Sequence, residues 1–402
     1  MRIAIVHDHL TCKAGGEQVA LAFHKAFPNA PLYTLAYNSE ATFPEFKRCD
    51  VRTSWFQKIT NDENQLKKLF FPLGILAMRS LHLKDYDVVL ISGTHCAKYI
   101  KVSPNTIVIT YCYTPFRLAW NPTSYAEYTH SKGVKRIIFD MVVKTLRFLD
   151  EHYARRTNFF LAMTEETKER IKEAYNPKNE ITIINPPVNN LDRYYISELP
   201  KEYYLLVSRL EFYKKVDLAV LAFNKLQRPL IIVGKGTQEN EIKSLVSSVF
   251  ISFKKNVSID ELVKLYANCR AFIFPQHEDY GLTALEANAA GRPVIAYNKG
   301  GIRDTQISFQ NNQATAVLFD VQTADALIEA VVEFEKIESH FKPQFIKIHA
   351  EKFSEQYFIE RIQHFVQQKS PLYKAFLLLI QCCFSYFFLF SNSLIRLLSS
   401  II

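Results

Sequence analysis

Short apolar runs alternate with longer amphipathic stretches through the first half of the chain, and the same pattern starts again in the second half. Runs of this kind are typical of buried parallel strands, because helices cover both faces of the sheet. The predicted strands are Ile3–Val6, Val88–Ile91, Thr106–Thr110 and Phe159–Met163 in the first series, and Tyr203–Val207, Leu230–Val233, Ala271–Phe274 and Pro293–Ala296 in the second. Two such series predict an α/β protein with two Rossmann-like, doubly wound domains.

The two series are separated by a stretch with several prolines and no periodicity, from Asn185 to Pro200. We therefore predict one domain over residues 1–190, a second over 201–350 and a closing helix over 351–370. A chain of 402 residues is also too long for one ordinary core. Parallel sheets bind ligands at the carboxyl ends of their strands, so we expect the active site in a cleft where the two sheets face each other.

The end of the sequence is strongly apolar, and between residues 375 and 402 only Arg396 is charged. We predict that residues 371–402 associate with a membrane as a monotopic anchor, a hairpin or a spanning helix. The alternative is a buried terminal helix, since the uncharged run 375–390 is shorter than the roughly 20 residues that a spanning helix needs. Lys369 and Lys374 precede this run, which favours a cytoplasmic position for the domains.

The net charge of +9 indicates an anionic surface or an anionic substrate, or simply a lysine-rich composition. The sequence contains no recognisable nucleic-acid-binding module, so we expect no nucleic-acid partner. The seven cysteines are scattered, without a C-x-x-C pair or the spacing of metal ligands. They predict reduced thiols in the cytosol, and the sequence opens on a strand rather than on a signal peptide.

The strongest candidate site runs from Glu278 to Glu286, between the predicted strand Ala271–Phe274 and a helix predicted over Thr283–Ala290. The first backbone N–H groups of a helix and its dipole favour an anionic group. Here those groups belong to Gly281, Leu282 and Thr283. The two glutamates can accept hydrogen bonds from the hydroxyls of a ribose and a sugar ring. The alternative is that both merely cap and solvate the helix.

Two cations follow the predicted strand Tyr203–Val207. Arg209 can bind two phosphate oxygens at once, and Lys214 adds a point charge. Together they can neutralise a diphosphate leaving group, so the site requires no metal. Gly15 and Gly16 follow the first strand and predict a tight turn that accommodates an anion. Taken singly, these features also fit solvated loops.

Several longer motifs contain these residues. In the second half they are Ser208-Arg209-Leu210, Tyr213 to Asp217, Val233-Gly234, Glu278 to Gly281, Glu286-Ala287 and Lys299-Gly300-Gly301. In the first half they are Val6-His7-Asp8, Gly15-Gly16-Glu17, and Tyr111 to Arg117 with Trp120. The run from Tyr203 to Thr305 resembles the donor domain of the family-4 retaining glycosyltransferases, which have the GT-B fold. The N-terminal motifs resemble the mannosyltransferase-like branch that builds bacterial surface polysaccharides, such as the O-antigen of lipopolysaccharide.

The resemblance implies roles for the matching positions. Glu278 would contact the transferred sugar, Glu286 would hold the ribose, and Arg209 and Lys214 would bind the diphosphate. The other implied donor-binding positions are Gly15, Gly16, Val257, Tyr280, Gly281, Leu282 and Thr283. The family retains the anomeric configuration by attack on the front face of the sugar, without a metal ion, a cofactor or a protein nucleophile. The expected reaction moves a hexose, with mannose from GDP-mannose favoured, to a lipid-linked acceptor.

Two further catalytic candidates lie in the first half. Tyr113 stands where the branch usually has histidine, and a phenol is a poor base near neutral pH. His95 matches another histidine of the family, and the alternative for it is a purely structural histidine. The change at Tyr113 motivates a second hypothesis, namely a donor-binding but weakly active or inactive partner in a polysaccharide assembly complex.

Asp85 and Asp87 form a D-x-D pattern like the metal site of other transferases. We interpret it as a turn, because it precedes the strand Val88–Ile91 and so lies at the end opposite the ligand crevice. A dinucleotide-dependent oxidoreductase is excluded because the G-x-G-x-x-G fingerprint is missing.

A helix beginning near Val134 is predicted to be amphipathic. Its apolar face comprises Val134, Ile137, Ile138, Met141, Val142, Leu146 and Leu149. The opposite face, with Arg136, Phe139, Val143 and Arg147, is expected to meet either solvent or an anionic lipid surface.

Overall fold

The computed structural model describes residues 1–199, 202–310 and 313–370. Contacts divide the chain into two units. The first unit comprises Met1–Leu161, Ala174–Ile181 and the described residues from Ile359 onward, and the second comprises Ala162–Glu173 and Thr182–Phe358. Both units are α/β with parallel strands, which confirms the predicted fold class.

The strands and helices follow each other along the chain as predicted for such folds. The strands are β1 (Ile3–His7), β2 (Leu32–Thr34), β3 (Val51–Thr53), β4 (His82–Leu83), β5 (Val88–Gly93), β6 (Lys101–Val102), β7 (Ile107–Cys112), β8 (Phe159–Ala162), β9 (Thr182–Ile183), β10 (Tyr204–Val207), β11 (Leu230–Val233), β12 (Ile251–Lys254), β13 (Phe272–Phe274), β14 (Val294–Tyr297) and β15 (Ala316–Phe319). The α-helices are α1 (Gly15–Ala26), α2 (Glu63–Leu69), α3 (Ile75–Ser80), α4 (Arg117–Trp120), α5 (Ala126–Thr129), α6 (Gly133–Ala154), α7 (Glu165–Tyr175), α8 (Val216–Leu226), α9 (Glu239–Ser244), α10 (Ile259–Asn268), α11 (Leu282–Ala289), α12 (Ile302–Thr305), α13 (Ala324–Ile337), α14 (Pro343–Glu351) and α15 (Glu355–Lys369).

The first unit is built on a sheet whose strands follow the order β3-β2-β1-β5-β7-β8. Its central strand β5 is buried along its whole length, as expected of a strand covered on both faces. The register places His7 of β1 beside Ser92 of β5, and Gly93 of β5 beside Cys112 of β7. The carboxyl ends of these three strands therefore meet at one edge, where ligands bind in such folds.

The second unit is built on a parallel sheet in the order β12-β11-β10-β13-β14-β15. The chain runs outward from β10 to β12, and then returns to place β13 on the other side of β10. The strand order thus reverses between β10 and β13. A reversal of this kind opens a crevice at the carboxyl ends of the two strands, and this crevice is the usual ligand site of doubly wound sheets.

All eight predicted strands are present, with ends that differ by at most two residues. The apolar pattern predicts none of β2, β3, β4, β6, β9, β12 and β15. Five of these, β2, β3, β4, β6 and β9, have only two or three residues each, and β12 exposes part of its surface. Strands this short, or covered on one side only, lack the continuous apolar run on which the prediction depends.

The predicted boundary at residue 190 differs from the division by contacts. Ala162–Glu173 and the chain from Thr182 belong to the second unit, whereas α15 passes into the first unit at Ile359. The predicted linker is also ordered by pairing, since the Val188 N–H donates to the Phe353 carbonyl at 2.8 Å. Composition shows where the alternation of strands and helices is interrupted. Tertiary contacts decide to which unit each segment belongs.

The predicted orientation of α6 is wrong over its first half. Val143 and Leu146 are buried, whereas Ile137 and Met141 of the predicted core face are 61% and 66% exposed. The helix is rotated about its axis so that Asp150 also faces inward, fully buried. A helical wheel counts apolar positions and gives no weight to such a polar anchor, so it misses this rotation.

Asp150 belongs to a buried polar cluster in the first unit. Lys98 Nζ donates to Asp150 Oδ1 at 2.7 Å and to the Tyr175 hydroxyl at 2.8 Å. The Tyr175 hydroxyl and Trp120 Nε1 both donate to Asp150 Oδ2, at 2.6 and 2.8 Å. The carboxylate is therefore fully paired, as a buried charge must be. The cluster fixes the rotation of α6 against the rest of the unit.

Within the described residues, no helix is both long and apolar enough to cross a bilayer. The predicted membrane-associating tail, residues 371–402, lies outside the described residues.

Candidate active site

The two predicted cations follow β10 directly, at the strand-order reversal. Arg209 Nη2 donates to the Tyr213 hydroxyl at 2.6 Å. Lys214 ends a short 3₁₀ turn, and its Nζ lies 5.2 Å from the centre of the Tyr213 ring. Tyr213 therefore contacts both cations and holds them on the same side of the turn. An arginine and a lysine placed together in this way are suited to bind phosphate oxygens.

Lys214 forms an ion pair with Glu278, which follows β13. The contact joins the carboxyl ends of β10 and β13 across the strand-order reversal. Burial and the positive charge of Arg209 lower the pKa of Lys214 to about 8. Glu278 acts in the opposite direction, because a carboxylate stabilises a neighbouring ammonium. The site thus contains two cations, Arg209 and Lys214, and one anion, Glu278. A ligand with charges or hydroxyls can replace the ion pair between Lys214 and Glu278.

Gln276 is a residue of this site that the sequence did not indicate. Its side chain is 2% exposed, and its Nε2 lies 3.5 Å from Glu278 Oε1. Its amide oxygen has no hydrogen-bond partner among the described residues. A buried acceptor without a hydrogen bond lowers the stability of the fold, unless a ligand or another group donates a hydrogen bond to it. No motif or spacing distinguishes Gln276, so only the structure could find it.

Two glycines support the Glu278 loop from the neighbouring β14–α12 connection. Gly301 N–H donates to the Glu278 carbonyl at 2.9 Å. Gly300 has a φ of +72°, and a Cβ there would lie 2.0 Å from the same carbonyl oxygen. Only glycine fits this close approach. The Lys299-Gly300-Gly301 motif therefore positions Glu278 rather than forming a separate site.

Helix α11 begins at Leu282, directly after the loop, and Gly281 precedes it with a φ of +89°. The first N–H groups of α11, which include those of Leu282 and Thr283, are not used inside the helix. The Tyr280 hydroxyl donates to the Pro186 carbonyl at 2.9 Å. The Tyr280 side chain therefore holds the loop in place. Any contact of Tyr280 with a nucleotide-sugar donor would be made by its backbone.

Glu286 lies on α11, and its Oε2 accepts a hydrogen bond from the Tyr266 hydroxyl at 2.8 Å. Burial raises the pKa of Glu286. A carboxylate held in this way can still accept hydrogen bonds from two neighbouring hydroxyls. Val257 is partly buried and packs on the same apolar cluster as Tyr266. Glu286 and Val257 thus both lie in the second unit with Glu278.

The first-unit candidates form a separate hydrogen-bonded group. The Tyr113 hydroxyl donates to the Gly16 carbonyl at 2.9 Å and lies 2.6 Å from Ser92 Oγ. Ser92 Oγ is in turn 3.0 Å from His7 Nδ1. Burial raises the pKa of Tyr113 well above its usual value, so the phenol stays neutral. Its position holds the start of α1 against the carboxyl edge of the sheet.

Gly15 and Gly16 are the first residues of α1 rather than a turn before it. The predicted turn is therefore corrected to a helix N-terminus, which offers backbone N–H groups in the same direction. Glu17 follows in the first turn and is buried. Burial opposes its ionisation, but hydrogen bonds to His7 and Cys12 hold the pKa of Glu17 below its usual value.

His95 is oriented by Asp8. This aspartate belongs to the motif Val6-His7-Asp8, for which the sequence predicted no individual role. His95 Nδ1 lies 3.1 Å from Asp8 Oδ2, and the ring stacks on Phe116 at 5.3 Å. Asp8 also accepts the backbone N–H groups of Thr94 and Ala97, at 2.6 and 2.8 Å. Burial raises the pKa of Asp8, yet His95 and these bonds hold it well below its usual range. An ionised Asp8 fixes the His95 ring and leaves Nε2 for other contacts.

Asp85 and Asp87 lie at the amino end of β5, as the sequence predicted. Asp85 has a φ of +65°, and Asp87 Oδ2 accepts the backbone N–H of Arg2 at 2.6 Å. The pair therefore forms a turn on the side of the sheet opposite His7 and Ser92.

Comparison with known proteins matches the motifs of the second half to a family model. Residues 192–357 match the family model of glycosyl transferases group 1. The matched range contains Arg209, Lys214, Glu278 and Glu286. Along 84% of its length, the chain is 24% identical to the alpha-1,3/1,6-mannosyltransferase ALG2 of Candida glabrata, covering 85% of that protein. The chain is a glycosyltransferase.

This glycosyltransferase is also 29% identical to the GDP-mannose-dependent alpha-(1-6)-phosphatidylinositol monomannoside mannosyltransferase of Mycobacterium tuberculosis. That match covers 44% of the chain and 52% of the relative. Among solved structures, Anabaena Alr3699/HepE in complex with UDP superimposes with a TM-score of 0.64 at 14% identity, covering 92% of the chain and 100% of that structure. The glycosyltransferase thus has the predicted GT-B fold.

The depressed pKa of Lys214 gives the glycosyltransferase a testable pH dependence. Its ammonium loses its proton as the pH rises through about 8. Affinity for a nucleoside diphosphate should then fall by up to about tenfold per pH unit above this value. Titration calorimetry with GDP between neutral and alkaline pH measures the effect.

The variant Lys214→Arg should abolish this decline, because arginine keeps its charge throughout the range. Lys254→Arg is the matched control, since Lys254 pairs with Glu261 at 2.8 Å in the same unit. A wild-type affinity that stays constant to high pH, or a decline that persists in Lys214→Arg, would remove Lys214 from the binding site.

Proposed function

We propose that this glycosyltransferase binds a nucleotide-diphosphate sugar in its second unit and transfers the hexose with retention of configuration. The observation that carries the proposal is the meeting of Arg209, Lys214 and Glu278 at the strand-order reversal between β10 and β13. Cations suited to a diphosphate and a carboxylate suited to sugar hydroxyls occur there together.

Donor binding would exchange the partners of these groups. The diphosphate attracts Lys214 and Arg209, and it also lies near the N–H groups at the start of α11. Glu278 then loses its ion pair and becomes available to hydroxyls of the sugar. The unpartnered amide oxygen of Gln276 beside it offers a second acceptor. Glu286 is proposed to accept the ribose hydroxyls.

In the reaction, the bond between the anomeric carbon and the phosphate oxygen breaks. The acceptor hydroxyl forms the new bond on the same face, and its proton passes to the departing phosphate. Charge grows on the diphosphate as the bond breaks, and Arg209, Lys214 and the helix N-terminus stabilise it. These groups replace the metal ion that other transferases use. For the first unit, we propose that Tyr113 and His95 orient the acceptor.

Mannose from GDP-mannose is the favoured donor, because both named relatives are mannosyltransferases and one is GDP-mannose-dependent. A lipid-linked acceptor is favoured because that relative acts on a phosphatidylinositol mannoside. We propose a role in cell-surface polysaccharide synthesis, at the inner face of the cytoplasmic membrane. The basic net charge of +9 suits that surface.

The decisive experiment measures donor choice and transfer separately. Thermal unfolding with GDP-, UDP- and ADP-sugars identifies the donor, because a bound ligand raises the melting temperature. Radiolabelled sugar from that donor should then appear on membrane lipid with its configuration retained. Binding without transfer to any lipid would favour the inactive-partner hypothesis. Failure of every nucleotide sugar to bind would reject the assigned site.

Activity should survive chelation of divalent metals. Arg209 and Lys214 already offset the diphosphate charge, so EDTA is expected to change the initial rate by less than about twofold. The assay compares rates with EDTA, with EDTA plus excess Mn²⁺, and without additions. A complete loss that manganese restores would contradict the proposed metal-independent mechanism.

Removal of the chain after Ser370 should weaken membrane binding while preserving nucleotide binding. The donor-site residues all precede this point, and α15 ends at Lys369. Transfer to lipid acceptors should fall more than transfer to short soluble ones, because the tail concentrates the enzyme at the surface. Fractionation and the two transfer assays test this. Unfolding of the shortened chain would mean that the tail belongs to a core.

A further inference from the structure

Helix α6 turns an apolar row toward solvent. The row, called the outward face below, consists of side chains that are 57–72% exposed, namely Val134, Ile137, Ile138, Met141 and Phe148. Their spacing of three, four and seven residues places them on one side of the helix. The opposite side packs into the first unit through Val143 and Leu146. The helix therefore has two apolar faces, and only one of them is covered by described residues.

This row differs from the scattered apolar residues found on most surfaces. Val134, Ile137, Ile138 and Met141 lie on successive turns and form a contiguous exposed area, and Phe148 follows on the same side two turns later. A contiguous apolar patch usually marks a binding surface. The buried Lys98–Asp150 pair fixes the rotation of α6. The outward face is thus held in place and does not reach the core by a small rotation of the helix.

The charges beside the outward face are mostly positive. Lys135 and Lys144 are exposed on α6. The exposed carboxylate Asp140 is paired with Arg136 at 3.1 Å, and Glu151 is paired with Arg155 at 2.6 Å. An apolar row with free cations at its edges is the pattern of helices that lie in the headgroup region of anionic bilayers.

A basic cavity lies at the C-terminal end of the same helix. Its volume is about 460 Å³, and it is lined by Arg79, His82, Lys101 and Arg156 without any carboxylate. The guanidinium carbons of Arg79 and Arg156 are 5.0 and 4.9 Å from the centre of the Tyr153 ring on α6. The ring attracts both guanidinium groups, and two arginines that line one cavity are suited to bind a phosphate.

We propose that the first unit docks on an anionic phospholipid bilayer through α6. The outward face enters the interface between headgroups and acyl chains, and the basic cavity receives a lipid phosphate. This surface lies outside the donor site, and the proposal does not depend on sugar transfer. A second copy of the chain is a poorer occupant, because a symmetric contact would bring the flanking lysines of both copies together.

The first test compares paired variants of the full-length chain on vesicles of phosphatidylcholine with and without phosphatidylglycerol. Ile137→Asp with Met141→Asp should lower affinity for the anionic vesicles at least about tenfold. Ile259→Asp with Ile348→Asp is the matched control, since these residues of the second unit are 61% and 58% exposed. The control should bind like the wild type. Equal binding by both variants would overturn the proposal.

The second test locates the contact, because the tail is also expected to bind membranes. Fluorescence of Met141→Trp should be quenched by brominated lipids, and that of Ile348→Trp should not, over the same native tryptophan background. Equal quenching would mean that α6 stays away from the bilayer. If the double variant Ile137→Asp with Met141→Asp converted a dimer to a monomer, the outward face would be a self-interface, and the proposal would also be overturned.

The third test addresses charge. Lys135→Gln with Lys144→Gln should weaken binding to anionic vesicles by about tenfold and leave binding to neutral vesicles unchanged. The wild-type affinity for anionic vesicles should also fall as salt increases. If vesicle affinity depended neither on the two lysines nor on the lipid charge, an anionic bilayer would be rejected as the partner.

Discussion

Replacement of Glu278 by glutamine should lower the turnover number about 100-fold while changing nucleotide affinity little. In the proposed mechanism its carboxylate contacts the sugar, where charge develops in the transition state, and it also positions Lys214. Glutamine keeps the shape but loses the negative charge. Steady-state kinetics and calorimetry with GDP measure the two effects separately.

Glu286→Ala should have a different effect from Glu278→Gln. Glu286 lies on α11, directly after the loop that contains Glu278. A ribose contact is made equally in the ground state and the transition state, so its loss should raise KM and leave the turnover number nearly unchanged. Glu261→Gln is the control, because it breaks a Lys–Glu ion pair of the same unit outside the site. Equal effects of the Glu278 and Glu261 variants would reject the assigned role of Glu278.

Replacement of Lys98 by methionine should destabilise the first unit by about 3–5 kcal/mol, the usual cost of removing one partner of a buried ion pair. Lys98 is 6% exposed and Asp150 is fully buried, so the remaining carboxylate would have no counter-charge. The Tyr175 and Trp120 hydrogen bonds would still reach it. Denaturant unfolding followed by circular dichroism measures the loss.

The double variant Lys98→Met with Asp150→Leu separates charge from packing. It removes both charges, so it should recover a large part of the stability lost by Lys98→Met alone. Lys225→Met is the control, because its ion pair with Asp325 is exposed and contributes little. If Lys98→Met were no more harmful than Lys225→Met, the cluster would not hold α6 in place.

The local sequence was sufficient for the fold class and for the donor-side motifs. Buried parallel strands are continuous apolar runs, so β5, β10 and β11 are visible without any tertiary information. Arg209 and Glu278 follow such strands directly, and the carboxyl ends of parallel strands share one edge. Their placement on that edge therefore follows from chain order alone.

Other features of the site depend on contacts between distant segments. The pairing of Lys214 with Glu278 requires β13 to lie beside β10, which is a property of strand order. Gln276 carries no motif, and its unpartnered amide oxygen becomes visible only through its burial. The bond from the Tyr280 hydroxyl to Pro186 likewise joins residues far apart in sequence.

The orientation of α6 shows the same limit most clearly. Periodicity alone determined that residues 133–154 form a helix with apolar faces, because hydrophobic spacing is a local property. Which face is buried was decided by the Lys98–Asp150 pair, whose partners are far apart in sequence. A buried charge must be paired, and meeting that requirement fixes the rotation of the helix even though apolar side chains stay exposed. Sequence pattern thus determined the elements, and the tertiary structure decided which face of this helix meets solvent, because the residues that pair with the buried charge come from segments distant in the sequence.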